Sequence, residues 1–364
     1  MSITLQSKKK NDLDSAFRRK TVYLFVAGVG AVGGTLVRQI AKLNNPEVHI
    51  QILGLCNSKQ VIWNPNQEDP FSDLIISNDV TDWDQIIDQL TSSDRESIIF
   101  VDATGSKAVA YQYAKLLSHG VHVATPSKRA NTLDQIYFDE LASFPRSGRA
   151  EYKYETAVGA GLPIINTVKN LVESGDEVTK ISGVVSGTMT YIFDQLQQGV
   201  PFSKIITNAK ELGYSEPDPR DDLSGEDVAR KFLILARTCG YKLEREHINV
   251  ESLVPQELID HQIEGFFDHI SFYDTHWKSR NSKALVNNRR LRYVGEFTPE
   301  GIDIGIKEVA TESPLGNLKG TDNLIQIYTK RYSSSPIVIQ GPGAGKDVTA
   351  AGVLSDILEI GKKC

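Results

Sequence analysis

From Val22 the chain runs through a short apolar stretch, a glycine turn and then apolar residues at helical spacing. The segment TVYLFVAGVGAVGGTLVRQIAKL holds Gly28, Gly30, Gly33 and Gly34 between its two halves, a pattern that predicts a strand feeding directly into a helix. VHIQILGLC predicts a second strand. SIIFVDATGS predicts a third that ends in a small polar turn, AVAYQYAKLLSHG a helix closed by Gly120, and VHVATPSK another short strand. Strands alternating with helices over residues 21–155 predict an α/β unit, a Rossmann-type doubly wound parallel sheet.

The pattern then changes. LPIINTVKNLVES predicts a helix, TKISGVVSG a strand, and MTYIFDQLQQG and FSKIITNAKELG two helices, the second stopped by Gly213. Further on, RYVGEFT, IDIGIKEV, LIQIYTKRY and PIVIQG alternate apolar and polar positions, as in a mixed or antiparallel sheet with one covered face. Residues 156–340 therefore read as a second, α+β domain. After the turn GPGAG, TAAGVLSDILEI is again an amphipathic helix, so residues 341–364 are expected to complete the first domain. Residues 1–20 read as a polar lead-in.

Composition narrows the function classes. The 364 residues are 40% hydrophobic and 24% charged, with a net charge of -6 and no basic run longer than the three residues of Lys8 to Lys10. This is a globular chain without the electrostatic footprint of a nucleic-acid or anionic-membrane binder. Its partners are expected to be small molecules. Cys56, Cys239 and Cys364 are widely spaced and form no CxxC, and the seven histidines form no HExxH, which points away from a disulfide framework and a zinc site. A reducing cytoplasm fits best. The first twenty residues lack the apolar core of a signal peptide, and no apolar run approaches the roughly 18 to 20 residues of a membrane span.

GVGAVG, residues 28–33, is a GxGxxG turn between a strand and a helix. In that setting Gly28 permits the tight turn, Gly30 lets the backbone approach a pyrophosphate, and Gly33 lets helix and strand pack closely. Val29, Ala31 and Val32 fill the intervening positions, and the helix N-terminus offers N–H groups to the phosphates. Selection of NAD through its ribose hydroxyl calls for an Asp or Glu at the end of the second strand. The chain has Asn57, Ser58 and Lys59 there, which suit a 2′-phosphate and equally suit an ordinary polar loop.

EPDPRDDLSGEDVARK, residues 216–231, gathers six carboxylates and ends on Lys231. Ser224 is expected to cap the helix that follows, with Asp227 as a weak capping-box partner. Val228, Phe232 and Leu235 would form its buried stripe. Asp227 and Lys231 are four apart on one face, which by itself describes a helix ion pair worth about a few tenths of a kcal/mol.

The longer string AKELGYSEPDPRDDLSGEDVARK resembles the signature of the homoserine dehydrogenases. GVGAVGG, VDATGS, TPSKRANT, YETAVGAGLPII, SGVVSGTMTYIF and GPGAGKDVTAAGV resemble other stretches of that family in the same order, over residues 21–360. The likeness is to the dehydrogenase portion of bifunctional aspartokinase–homoserine dehydrogenases, without the kinase. It implies reversible hydride transfer between NADP(H) or NAD(H) and L-aspartate 4-semialdehyde, giving L-homoserine in threonine, methionine and isoleucine biosynthesis.

By position, the resemblance makes Lys231 the proton donor to the carbonyl oxygen and the base in reverse. Glu216 and Asp227 would bind substrate, with Glu216 meeting its ammonium group, and Lys128 would reach both cofactor and substrate. Thr104 and Gly345 would border the nicotinamide, and Gly213 the cleft. A monovalent cation, commonly sodium, would bind Glu155 and the carbonyls of Val158, Ala160 and Leu162, a hard-oxygen set suited to such an ion. A homodimer built through the second domain is also implied. Because a carboxylate beside an ammonium resists release of its proton, Asp227 is read as orienting Lys231 rather than activating it.

The chain departs from the family pattern at Gly105, where serine is common, and at Ser127 and Arg129, where Asn and Lys are common. A rival enzyme, aspartate-semialdehyde dehydrogenase, needs a cysteine nucleophile, and neither Cys56 nor Cys239 is well placed for one. A non-catalytic dinucleotide sensor would be expected to have lost Lys231, Asp227 or Glu216. No segment is found to house a threonine site, so this polypeptide is expected to be insensitive to threonine unless another chain or segment supplies one.

Overall fold

The computed structural model describes residues 19–364. The lead-in expected over residues 1–20 lies outside them, apart from Arg19 and Lys20, and Lys20 already begins a strand. The contacts divide the chain into two units. One runs through Thr156 and takes in Lys346–Cys364; the other is Ala157–Gly345.

The first unit contains strands β1 (Lys20–Ala27), β2 (Val48–Cys56), β3 (Val61–Trp63), β4 (Ile98–Asp102), β5 (His122–Ala124) and β6 (Tyr152–Lys153), in the order β3-β2-β1-β4-β5-β6. All pairs are parallel except β2 with β3, so the expected parallel sheet carries one antiparallel edge. The order reverses between β2-β1 and β4, which is the switch point where ligands bind in open sheets of this kind. Val22, Leu24 and Val26 of β1 and Ile99 and Val101 of β4 pack with Leu36 and Val37 of the helix Ala31–Ala41. Val353, Ile357 and Ile360 of the helix Lys346–Lys363 join the same core. The apolar spacing of TAAGVLSDILEI therefore buries its stripe within this unit.

The second unit contains β7 (Val178–Val184), β8 (Ile248–Val250), β9 (Arg289–Thr298), β10 (Gly301–Ala310), β11 (Asp322–Thr329) and β12 (Ile337–Pro342), in the order β12-β11-β7-β9-β10-β8. The sheet is antiparallel except where β8 pairs parallel with β10. On one face lie the helices Gly187–Gln197 and Glu226–Thr238, whose Phe232 ring occupies the space a side chain at Gly295 would need. The other face is covered in part by the chain itself: Leu315 and Leu318 pack on Val184, Val294 and Leu324. Buried Arg292 holds that covering segment by donating to the carbonyls of Leu315, Gly316 and Leu318. Beyond it, among the described residues, the face carries partly exposed side chains. Lys180 and Glu296 pair there at 2.6 Å, and Val338 is exposed.

Candidate active site

The helix at the end of the acidic segment does not begin where its sequence suggests. Residues Pro219–Leu223 form a short helix of their own, capped by Asp218, and Ser224 closes it. The next helix, Glu226–Thr238, starts from Gly225, whose φ of 77° is left-handed and whose missing side chain leaves room for the Tyr293 hydroxyl. A reversal that tight selects glycine, so the N-cap moves one residue on from Ser224. The Ser224 hydroxyl still accepts from the Glu226 amide at 3.3 Å. Val228, Phe232 and Leu235 are buried as their spacing predicts.

The six carboxylates then separate by partner. Asp218 binds the Arg220 guanidinium at 2.6 Å, Glu226 pairs with Arg245, and Asp221 faces solvent. Asp222 accepts the Glu216 amide at 2.8 Å and lies 3.0 Å from the Thr188 hydroxyl, so it fixes the loop that carries Glu216. Burial pushes the Asp222 carboxyl above the usual range, and the nearby carboxylates of Glu216 and Asp227 add to the effect. Lys231 Nζ is 2.6 Å from Asp227 Oδ2 and donates to the Val185 carbonyl at 2.7 Å, with its side chain only 12% exposed against 42% for Asp227. This is not a solvated helix pair. A largely buried ammonium is aimed by one carboxylate and by the carbonyl just past the end of β7, beside an acidic cluster to which Glu216 contributes an exposed carboxylate. Gly213, left-handed at φ 69°, ends the helix Phe202–Glu211 three residues before Glu216.

In the first unit the GxGxxG turn follows β1. A side chain at Gly33 would stand 2.0 Å from the Gly28 carbonyl oxygen, whereas one at Gly30 would have nothing within 4 Å. The third glycine is thus a packing requirement, and the second leaves open space before the helix N-terminus. Gly30 caps that helix without any side-chain hydrogen bond, a cradle suited to a pyrophosphate. Asn57 Oδ1 is taken up by the amides of Lys59 and Gln60 at 2.7 and 2.9 Å, which closes the turn after β2 and leaves Ser58 and Lys59 exposed. Thr104 follows β4 and is exposed; Lys128 follows β5 and is half-buried. These turns all lie at the C-terminal ends of parallel strands.

Glu155 is buried at the end of the first unit, where its amide donates to Asp356 Oδ2 at 3.1 Å. Asp356 is 1% exposed, its Oδ1 has no hydrogen-bond partner, and burial together with the Glu155 charge pushes its carboxyl up to about 7. In the second unit Ala160 is left-handed at φ 53°, Val158 is buried, and the Leu162 carbonyl accepts from the Ile164 amide at 2.8 Å. Gly345, at φ 124°, is the last residue of that unit. No group of three or more His, Cys, Asp or Glu suited to a metal ion occurs among the described residues, and no described helix is long and apolar enough to cross a membrane.

Two groups at the candidate site are given no role by the sequence reading: Asp222, although it stands within the string that carries the family resemblance, and the carbonyl of Val185.

Comparison with known proteins bears on most of the chain. Residues 163–358 match the family described as homoserine dehydrogenase, and residues 28–155 the homoserine dehydrogenase NAD binding domain. Homoserine dehydrogenase of Emericella nidulans is 36% identical over 367 residues, covering 93% of this chain and 98% of that protein. The bifunctional aspartokinase/homoserine dehydrogenase of Haemophilus influenzae is 37% identical over 348 residues, covering 93% of this chain and 43% of that protein. The chain thus spans less than half the length of the bifunctional relatives it matches. A crystal structure of a Candida auris protein of unknown function superposes with a TM-score of 0.90 at 35% identity, covering 94% of this chain and 99% of that one. A hyperthermophilic archaeal homoserine dehydrogenase in complex with NADPH shares the fold, with a TM-score of 0.73 at 22% identity over 94% of this chain and 98% of that one. With both units matched in order and a monofunctional member covered almost end to end, the chain belongs to the homoserine dehydrogenase family.

Proposed function

We propose that the chain catalyses the reversible, NAD(P)-dependent reduction of L-aspartate 4-semialdehyde to L-homoserine. The observation that carries this reading is the placement of Lys231, buried along its stem and held between Asp227 Oδ2 and the Val185 carbonyl. A bound nicotinamide supplies or takes up the hydride. Reduction of an aldehyde builds negative charge on its oxygen, and an ammonium has three N–H donors. Two of those of Lys231 are engaged as described, and the third is the proton donor to the carbonyl oxygen. Asp227 orients this ammonium. Glu216 takes the substrate ammonium group, and Asp222 holds Glu216 in place.

Lys128, with Thr104, Gly213 and Gly345, borders the nicotinamide and substrate in this reading. The open cradle at Gly30 supports NAD(P) binding, and Lys59 with no carboxylate in the turn after β2 supports acceptance of a 2′-phosphate, so NADP(H) is taken alongside NAD(H). A monovalent cation at Glu155 and the carbonyls of Val158, Ala160 and Leu162 is part of the proposal. Asp356 has an unpartnered oxygen, and burial together with the Glu155 charge raises its carboxyl although Lys153 lies nearby, which supports room for a further positive charge there. The thioester route is disfavoured, because burial pushes the thiols of Cys56 and Cys239 up to about 12 and a thiolate is what attacks.

Glu216→Gln tests the substrate assignment. It keeps the side-chain shape and removes the charge, so the KM for homoserine should rise by about tenfold or more while the KM for cofactor changes little. An unchanged homoserine KM would show that Glu216 only shapes its loop. Assembly is the second test. The part of the β7–β12 sheet face left partly exposed beyond the 311–321 segment supports a homodimer through the second unit, and light scattering at micromolar concentration should return twice the chain mass. A monomer mass refutes the dimer.

A further inference from the structure

The turn after β4 and the turn after β5 carry Thr104 and Lys128, and a buried network joins them. Asp102, the last residue of β4, is fully buried. Its Oδ1 accepts from the Thr104 amide at 2.7 Å and from the Thr104 hydroxyl at 2.6 Å, and its Oδ2 accepts from the Tyr113 hydroxyl at 2.5 Å. Thr104 Oγ1 in turn accepts from the Ser106 amide at 3.0 Å, so one carboxylate fixes the whole 103–106 turn.

Thr125 stands just past the end of β5. Its hydroxyl donates to the Asp102 carbonyl at 2.8 Å and accepts from the Ser127 amide at 2.9 Å. Tyr113, fully buried in the helix Tyr113–Ser118 that connects the two strands, also reaches Thr125 Oγ1 at 3.2 Å. Because the Thr125 hydrogen is used on Asp102 and the tyrosine has a single hydrogen, the short bond to Asp102 takes it and the longer contact is secondary. On the surface the same two turns meet again: Arg129 Nε donates to the Gly105 carbonyl at 3.2 Å.

Burying a carboxylate among neutral donors is costly, and burial does push the Asp102 carboxyl above its ordinary range while the Thr104 and Tyr113 bonds pull it back. An apolar residue would cap a parallel strand more cheaply, so the cost has a use at the strand end where a cofactor-site turn begins. We propose that Asp102, Tyr113 and Thr125 form a buried tie that sets the spacing of the 103–106 and 125–128 turns, and so positions Thr104 and Lys128 for the nicotinamide end of the cofactor. Asp102 and Thr125 are positioning residues. The inference rests on the reading that these turns border the nicotinamide.

The test separates the Thr125 hydroxyl from its volume. Thr125→Val keeps the shape and loses both hydrogen bonds; Thr125→Ser keeps both bonds and loses a methyl group. Dissociation constants for NADPH and NADP+ are measured by fluorescence titration on the full chain, alongside thermal unfolding. Thr125→Val should bind cofactor about tenfold more weakly, and Thr125→Ser within about twofold of native, whatever the order of their melting temperatures. Native affinity in both variants, or losses that follow thermal stability rather than the hydroxyl, overturns the proposal. Should Thr125→Val not fold, Tyr113→Phe removes only the phenolic oxygen and is expected to weaken cofactor binding by about threefold; unchanged affinity there is equally fatal. Failure of the underlying reading looks different, because Lys128→Met then leaves cofactor affinity native as well, and the inference falls with it.

Discussion

Lys231→Met is expected to lower turnover by about 10² to 10⁴, the range for loss of a general acid, while the dissociation constants for NADPH and NADP+ stay within about twofold of native. Methionine preserves the stem that lies along the helix Glu226–Thr238 and removes the charge at its tip. Asp227 then loses its bond to Lys231, but it is 42% exposed and solvent makes up that hydration. The fold is therefore expected to survive, with a melting temperature near native. Turnover would fall because no group is left at the Val185 carbonyl to protonate a developing alkoxide. Stopped-flow turnover with homoserine, with cofactor affinity measured in parallel, checks this. Near-native turnover would remove Lys231 from the chemistry and leave it a structural ion pair.

Gly33→Ala and Gly30→Ala should part company. At Gly33 the added carbon meets a backbone oxygen at 2.0 Å, so the helix Ala31–Ala41 must move off β1 and both stability and cofactor geometry suffer. A loss of about 1–3 kcal/mol in stability and about 10²-fold in kcat/KM for cofactor is expected. At Gly30 nothing in the protein stands in the way and φ is -71°, although ψ of -152° is at the edge of what alanine adopts. Thermal stability should fall far less than at Gly33 while cofactor affinity falls, because the new methyl group occupies the space the pyrophosphate backbone contact needs. Calorimetry and cofactor titration on the two variants give the answer. Equal behaviour of both would contradict the assignment of packing to one glycine and ligand approach to the other.

The periodic parts of the chain were the legible ones. Strands β1, β2, β4 and β5, the helix after GPGAG and the buried stripe of Val228, Phe232 and Leu235 follow from spacing alone, whereas the short edge strands β3 and β6 do not. The helix Asp274–Val286 does not announce itself: among its thirteen residues only Trp277, Asn281 and Ala284 are buried, too sparse a stripe to stand out. The cap at Gly225 is hidden for another reason. Its need comes from Tyr293, far away in sequence, and Ser224 is a plausible local cap that tertiary packing overrides. The same holds for the 311–321 segment, whose role depends on a buried Arg292 answering to backbone carbonyls. In the candidate site, it is the family resemblance of the string around them that singles out Glu216, Asp227 and Lys231; spacing alone describes a helix ion pair. The tasks of Asp222 and of the Val185 carbonyl become visible only when the loop and the end of β7 are brought together.

The central claim is that this chain oxidises and forms homoserine through Lys231. The most direct measurement follows the absorbance of reduced nicotinamide as L-homoserine is added to the chain with NAD+ or NADP+, in a sodium-containing buffer. The account predicts saturable, homoserine-dependent reduction of at least one cofactor, abolished to within the expected range in Lys231→Met. No homoserine-dependent reduction of either cofactor, from a folded chain shown to bind NADPH or NADP+, would contradict it.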